Sequence, residues 1–391
     1  MRIISSAEEA QFRAEVREWL HANKPRESRP LDGPATGEFD RAWQRTQYEG
    51  GWAGISWPKE YGGRGLSLLE QMVWYEENAL AGAPPIGSMF VALSHAGPTL
   101  IVQGTEEQKQ FHLPRILKGE AVWCQGFSEP GAGSDLANLS TRAVIDEAAG
   151  ELVINGSKIW TSFAEVAAYQ ELLVRTDPES RRHAGITWVI GDMSAPGITI
   201  RPIKAMSGLT HIYEVFYDNV RLPLSNVIGE VNRGWSVAMT TLGFERGTGL
   251  LTHQMELTAT LAKIVEIART VEAPGGGRKA IQDEAIAATL AQFDAEVRGL
   301  RSLTALAISR GMRDEVPGAE GNIVALFFAE LVRRIYGFAL TLQGADGIET
   351  SGKNWPLQYL EGFKYGIGGG TIEIRRNAIA ERVLGLPRIK S

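Results

Sequence analysis

Two glycine-rich stretches hold the residues whose types and spacing could do chemistry. The first, Gln125-Gly-Phe-Ser-Glu-Pro-Gly-Ala-Gly-Ser-Asp135, cannot be regular secondary structure, and its glycines let main-chain amides approach a ligand closely. Ser128, Ser134 and the neighbouring N–H groups could donate hydrogen bonds to the polar edge of a ring. A tight, well-capped connector is an equal reading of the same residues, since Gly, Pro and Ser are ordinary turn formers. The second, Lys364-Tyr-Gly-Ile-Gly-Gly-Gly-Thr-Ile-Glu-Ile-Arg-Arg376, sets three consecutive glycines between an aromatic and a basic segment. It can be a phosphate cradle, a flexible turn, or a site from which a side chain has been removed. Trp160, close after an Asn-Gly pair, reads by itself as a core residue, because hairpin aromatics usually face a core. Glu245-Arg246, inside a helical pattern, reads by itself as an ion pair.

Composition narrows the chemistry. With 391 residues, 44% hydrophobic and 22% charged, the chain can fill two or three cores. The single cysteine, Cys124, excludes an internal disulfide and any multi-cysteine metal site. The six histidines (His21, His95, His112, His183, His211, His253) lack metal-ligand spacing, so no metal is expected. A formal net charge of −6 without a basic block argues against nucleic acid. No run reaches the roughly 18 apolar residues of a membrane span, and the acidic first twenty residues do not resemble a signal peptide. Small-molecule chemistry in the cytoplasm is the expectation.

The elements that must position these stretches change period twice. Ser6-Ala-Glu-Glu9 has capping-box spacing before Phe12, Val16, Trp19 and Leu20, and Leu68 to Leu80 and Glu106 to Leu117 also read as helices. Between them, Gly51 to Gly63 is too rich in aromatics, Gly and Pro for a helix or a central strand, and reads as a packed loop. From about residue 121 the runs become short and β-rich. Asn155-Gly156 predicts a hairpin turn between apolar runs, followed by strands at Leu172 to Arg175, Ile186 to Ile190, Ile198 to Ile203 and Tyr213 to Val220. The helical period returns at Gly234, over Trp235 to Arg269, Ala285 to Met312 and Asn322 to Leu342, with a last helix near Thr371 and a break at Val271 to Gly277. We expect three domains, 1–120 helical, 121–232 β and 233–391 helical, with a cleft between lobes.

Several runs, in this order, resemble those of the acyl-CoA dehydrogenase family, flavoenzymes that desaturate acyl-CoA thioesters between the α and β carbons. They are Gly51-Trp52 through Gly62-Gly63, Glu129 to Asp135, Asn155 to Trp160, Phe216 to Pro223, Ile228 to Trp235, and Gly370 to Arg376. The resemblance implies an N-terminal helical domain, a central β-barrel and a C-terminal four-helix-bundle domain. It implies FAD as cofactor, an acyl-CoA substrate and an electron-transfer flavoprotein as acceptor. Phe127 and Ser128, with Gln125 before them, match positions lining the pyrimidine side of the flavin. Trp160, Thr161 and Ser162 match positions against the isoalloxazine. Gly344, Gly347, Thr371 and Glu373 complete the cofactor set. Ser134 matches a serine near the acyl-CoA, with capping of its own turn as its other reading, and Arg246 joins it on the substrate side.

Desaturation needs a base for the α-proton, and many family members carry a glutamate directly before the closing Gly-Thr. Here that position is Gly369, so the triple glycine reads best as a family site without its side chain. Its backbone N–H keeps the capacity to hold the thioester carbonyl. Glu245 matches the position where the isovaleryl-CoA and long-chain branches place their glutamate, and is the expected base. Two departures bear on assembly. Ala273 to Lys279 stands where the family has an arginine motif reaching a neighbour's FAD diphosphate, with Arg278 as a weak substitute, and the adenosine-end loop is altered to Gly344-Ala-Asp-Gly347. The resemblance implies a dimer or tetramer, either of this chain alone or heteromeric with a homologous subunit that supplies the arginine. The other readings are a flavin monooxygenase or nitroalkane-oxidase-like member of the fold, or a non-catalytic subunit.

Overall fold

The computed structural model describes residues 7–180, 182–245, 249–314, 320–347 and 354–388. Its contacts divide the chain into two compact units, one of Met1–Trp74 and Ala81–Glu245, the other of Tyr75–Leu80 and Arg246–Ser391. The Ser6 cap expected for the first helix lies outside the described residues. Among the described residues no helix is long and apolar enough to cross a membrane.

The first unit contains α1 (Ala7–Asn23), α2 (Pro34–Glu49), the start of α3 (Leu68–Ala81), α4 (Gly97–Gln103), α5 (Glu106–Leu117) and α6 (Gly234–Glu245). Helix α5 starts where the pattern predicts, because Thr105 and Gln108 form a capping box: Gln108 N donates to Thr105 Oγ1 at 3.3 Å and Thr105 N to Gln108 Oε1 at 2.9 Å. The loop from Gly51 to Gly63 is packed, as expected from its aromatics. Trp52 stacks on Trp74 with ring centroids 4.7 Å apart, and buried Trp57 donates from Nε1 to Leu93 O at 2.9 Å. Helix α4 passes so close to this ring that a Cβ on Gly97 would lie 1.9 Å from Trp57.

Among the described residues eight strands form one sheet: β1 (Trp123–Gly126), β2 (Arg142–Asp146), β3 (Glu151–Ser162), β4 (Tyr169–Arg175), β5 (Ile186–Asp192), β6 (Ile198–Ile203), β7 (Ile212–Pro223) and β8 (Val227–Ile228). The order is β6-β7-β3-β2-β4-β5-β8, with β1 parallel to β4. This corrects the expected barrel: the sheet is open. Closure needs every strand paired on both edges, whereas β6 and the two-residue β8 end the path, and β2 meets β4 through the single pair Arg142↔Arg175 because β1 and β5 flank β4. Strand alternation separates two cores. Trp123, Phe127, Leu173 and Trp188 share a core with α4 and α6 residues, while Cys124, Leu172, Val174 and Val215 fill the other.

The Asn155-Gly156 turn is also corrected. Strand β3 runs straight through both residues, and its partner β2 returns through residues 147–150 instead. The pair sits at a bulge in the β3–β7 register. Gly156 has φ 147°, and a Cβ there would lie 2.7 Å from Thr141 Cα. Glycine is needed for close backbone approach, a role it shares with turns.

The second unit is helical. Helices α7 (Gly249–Thr270), α8 (Glu284–Asp314) and α9 (Glu320–Gln343) build its core from Leu257, Leu261 and Ile264, Leu290, Phe293 and Val297, and Phe328, Leu331 and Ile335, at helical spacing. Helices α10 (Asn354–Gly362) and α11 (Ile372–Arg382) lie against α9. The helix expected over Trp235 to Arg269 is described as α6 and α7, which fall in different units.

Two alanine substitutions separate close approach from helix propensity. Gly97→Ala forces its methyl group into the Trp57 ring and lowers stability by about 1–3 kcal/mol. Gly299→Ala on α8, where a Cβ meets nothing within 4 Å, leaves stability unchanged or raises it by up to about 1 kcal/mol. Melting temperatures of the two variants check the opposite signs.

Candidate active site

Strand β1 ends at Gly126 and the chain turns outward through Phe127, Ser128 and Glu129. The Glu129 carboxylate, 6% exposed, is fully engaged. Its Oε1 accepts from Lys158 Nζ and Thr141 N, each at 2.8 Å, and its Oε2 accepts from Ser140 N at 2.7 Å and Ser140 Oγ at 2.8 Å. Lys158, wholly buried on β3, also donates to Phe127 O at 3.1 Å, and Ile159 N donates to Ser128 O at 2.9 Å. The glycine-rich loop is therefore closed at both ends by one carboxylate and fixed to β3 by one ammonium.

Burial alone would push the Glu129 carboxyl up, but Lys158 and the hydrogen bonds from Thr141 and Ser140 outweigh it and hold the group at about 2. Burial lowers the Lys158 ammonium to about 8 against the pull of Glu129. Both groups are charged at neutral pH.

Just past Lys158 the β3–β7 register shifts again before Thr161. Trp160 sits in this bulge at φ 61°, and Phe163 follows at φ 60°. Left-handed backbone is costly for a bulky side chain and persists only where the surroundings enforce it. Its effect is to turn the indole outward: Trp160 is 58% exposed. The core placement expected from strand alternation alone is overturned, because the bulge breaks that alternation. Thr161 is completely buried, and its Oγ1 has no hydrogen-bond partner among the described residues. Ser162 and Ser128 are half-buried. An outward aromatic face beside hydroxyl donors fits a flat ring system with a polar edge, so these residues fit a flavin.

The family descriptions for the acyl-CoA dehydrogenase N-terminal, middle and C-terminal domains match residues 6–120, 124–220 and 232–384. The chain belongs to the acyl-CoA dehydrogenase family. It is 39% identical over 388 residues to acyl-CoA dehydrogenase IpdE1 of Mycobacterium tuberculosis, covering 97% of this chain and 98% of the relative. Among solved structures, the Tcur3481-Tcur3483 steroid ACAD is similar with a TM-score of 0.87 at 33% identity, covering all of both chains. The ChsE4-ChsE5 complex from Mycobacterium tuberculosis is similar with a TM-score of 0.86 at 30% identity, again over all of both chains. Acyl-CoA dehydrogenases are flavoproteins that generally use FAD.

Within the first unit, the structure brings Gln125, Phe127, Ser128, Trp160, Thr161 and Ser162 onto β1, β3 and the loop that Glu129 closes. The Phe127 ring itself is buried in the core, which leaves its main chain for a ligand. Gln125 is half-buried, its Nε2 3.4 Å from His95 Nδ1. Ser134 is exposed and has no hydrogen-bond partner among the described residues, so its other reading, capping of its own turn, is absent. Glu245 is the last residue of α6, and its side chain lies outside the described residues, as does the whole of Arg246.

Within the second unit, Gly344 (φ 59°) and buried Gly347 bound a 3-10 turn after α9, and a Cβ on Gly347 would lie 2.5 Å from Leu340 O. Thr371 caps α11, its Oγ1 accepting from Ile374 N at 3.3 Å, and Glu373 is exposed in the first turn. Hydrogen bonding by the backbone there lowers the pKa of Glu373. Gly369 and Gly370 adopt φ 67° and 105°. Arg278, the weak substitute, is exposed and paired with Asp283 beside a tip of three left-handed glycines.

Lys158 escaped the sequence reading. Its signal was parity: positions 152, 154 and 158 of β3 are all buried, so a lysine on that face needed an acid, and Glu129 is that acid.

Lys158→Met leaves the Glu129 carboxylate buried without its counter-charge and costs about 3–5 kcal/mol, much of it restored by adding Glu129→Gln. The Glu129 pKa, lowered to about 2, lies below the unfolded value of about 4.3. Its stabilising contribution is therefore complete above about pH 4.3 and is lost as pH falls toward 2. Thermal unfolding of wild type, Lys158→Met and the double variant across that window checks both statements. An unchanged melting temperature in Lys158→Met would contradict them.

Proposed function

We propose that the chain is an FAD-dependent dehydrogenase that desaturates an acyl-CoA thioester between its α and β carbons, with Glu245 as base. The observation that carries this reading is the outward indole of Trp160, held in a left-handed bulge beside the buried Thr161 hydroxyl. Such a costly arrangement marks a functional site, and in a family of flavoproteins it supports a flavin platform.

Trp160, Thr161 and Ser162 would cover the ring face, Ser128, Gln125 and the main chain at Phe127 its polar edge, and Gly344, Gly347, Thr371 and Glu373 the rest of the cofactor. When bound, FAD supplies the acceptor for the hydride leaving the β-carbon, at flavin N5. The chain's own residues govern the proton. The thioester carbonyl accepts a hydrogen bond from Gly369 N–H, which stabilises the negative charge that develops on that oxygen as the α C–H bond breaks. The Glu245 carboxylate takes the α-proton. A carboxylate enclosed between flavin and thioester would be desolvated, which strengthens it as a base. Ser134 and Arg246 are assigned to the acyl-CoA.

A bulky, steroid-derived acyl group and a heteromeric assembly are the favoured substrate and quaternary structure. The similar steroid ACAD and ChsE4-ChsE5 structures carry paired names, and the arginine motif for a neighbour's diphosphate is replaced here by the glycine tip before Arg278. Exposed Val383, Leu384 and Leu386 leave apolar surface just after α11 for a partner. The two electrons removed from the acyl group would be passed on to an electron-transfer flavoprotein.

Anaerobic titration with a panel of acyl-CoAs tests the reading. Bleaching of the oxidised-flavin absorbance by a steroid-derived ester is the expected result, and no bleaching by any member would refute dehydrogenation. Glu245→Gln should retain its flavin and slow the bleaching on the order of 10²–10⁴-fold; a wild-type rate would remove Glu245 as base. Expressed alone, the chain should be poor in flavin and gain it on co-expression with a homologous subunit. A fully loaded homo-oligomer would contradict the heteromeric assignment.

A further inference from the structure

Gly369 has no side chain, so any contribution it makes to the thioester carbonyl passes through its N–H. The direction of that N–H is set by the peptide joining it to Gly368. We propose that Arg375 is the positioning residue for this donor, gripping the Gly368 carbonyl so that the Gly369 N–H faces outward; the inference rests on the role proposed for Gly369 in holding the thioester.

Arg375, on α11, is 6% exposed despite its charge. Its Nη2 donates to Gly368 O at 2.9 Å, and its Nη1 donates to Tyr365 O at 2.8 Å and to Ala325 O of α9 at 3.3 Å. The planar fork thus joins α9 and the loop through main-chain acceptors, a geometry that a lysine cannot reproduce. No cis peptide is present among the described residues, and in a planar trans peptide the C=O and N–H point in opposite directions. With Gly368 O drawn onto the buried guanidinium, the N–H of Gly369 must point away from it. Both glycines are exposed, and the Gly369 N–H has no acceptor among the described residues.

Two further effects act in the same direction. Glycine peptides turn over at little cost, so a run of three needs an external hold to keep one orientation, and the fork provides it. A cation bonded to the carbonyl end also polarises the peptide and strengthens its N–H as a donor. The missing side chain at Gly369 and the buried charge at Arg375 then form one device: the donor is bare main chain, and its aim comes from a side chain on the following helix.

The test uses the flavin-loaded protein, with its partner where one is required, carrying Arg375→Gln or Arg375→Lys. In crystals without substrate, the 368–369 peptide should be turned over or disordered in Arg375→Gln. With the acyl-CoA that bleaches wild type fastest, the limiting rate of flavin reduction should fall on the order of 10²-fold. The half-saturating concentration should change little, since the lost interaction belongs to the transition state. Arg375→Lys, which keeps the charge without the fork, should be intermediate. An unmoved peptide, or a wild-type reduction rate in a variant with a lowered melting temperature, would overturn the proposal and leave Arg375 a loop staple only. If Arg375→Gln does not fold, Arg375→Lys decides on the same readouts. If no acyl-CoA bleaches wild type, the functional reading fails, and the crystals still decide what orients the peptide.

Discussion

The buried pair of Glu129 and Lys158 is the interaction on which the first unit's site depends. One carboxylate closes both ends of a ten-residue excursion, and one ammonium ties that closure to β3 two residues before the bulge at Trp160. Taking two charges out of water is expensive, and their attraction repays it only when the geometry is good and further hydrogen bonds support both groups. Here the carboxylate accepts four hydrogen bonds and the ammonium donates also to Phe127 O. The gain is registration. The loop that presents Ser128 and the strand that presents Trp160 cannot shift independently, and a flat cofactor needs both walls at a fixed separation.

A second division of labour concerns the reacting carbon. Proton removal and carbonyl polarisation are separate tasks, and only the first needs a side chain. With Glu245 as the proposed base, the carboxyl group belongs to α6 and the closing motif retains the donor alone. A glycine at the old position frees volume, and it also removes the conformational restraint that a side chain imposes on φ. Left-handed values at Gly369 and Gly370 follow from that freedom. The Thr371 cap and the Arg375 fork restore order to a segment whose composition alone would leave it loose.

Much of the scaffold was legible in the sequence because its signals are local. Helix α5 and strand β6 occupy the expected residues, the first through a capping box and the second through turn residues at either end. What escaped depends on partners distant in sequence. Asn155-Gly156 has the composition of a hairpin turn, yet the approach of Thr141 makes the glycine a bulge residue instead. Trp160 defied alternation because a second bulge follows Lys158, which no property of Trp160 announces. In the open sheet β1 occupies most of the β4 edge that β2 reaches through one pair, and composition does not encode such pairing. Helix α2 was missed because its face is polar and its buried set includes Asp40 and Gln44, satisfied by Arg29 and Leu117 O. Family resemblance, by contrast, gave Trp160 a role outside the core, and its indole is exposed.

Everything proposed for the chemistry turns on an α-proton taken by a carboxyl group at the end of α6 while bare main chain holds the thioester oxygen. A crystal structure of the flavin-loaded protein with an unreactive acyl-CoA bound tests this arrangement most directly. We expect a Glu245 carboxylate oxygen about 3–3.5 Å from the α-carbon, the separation of a near-attack arrangement, with Gly369 N–H on the thioester oxygen. A Glu245 side chain turned to bulk solvent, with another group against the α-carbon, would contradict it.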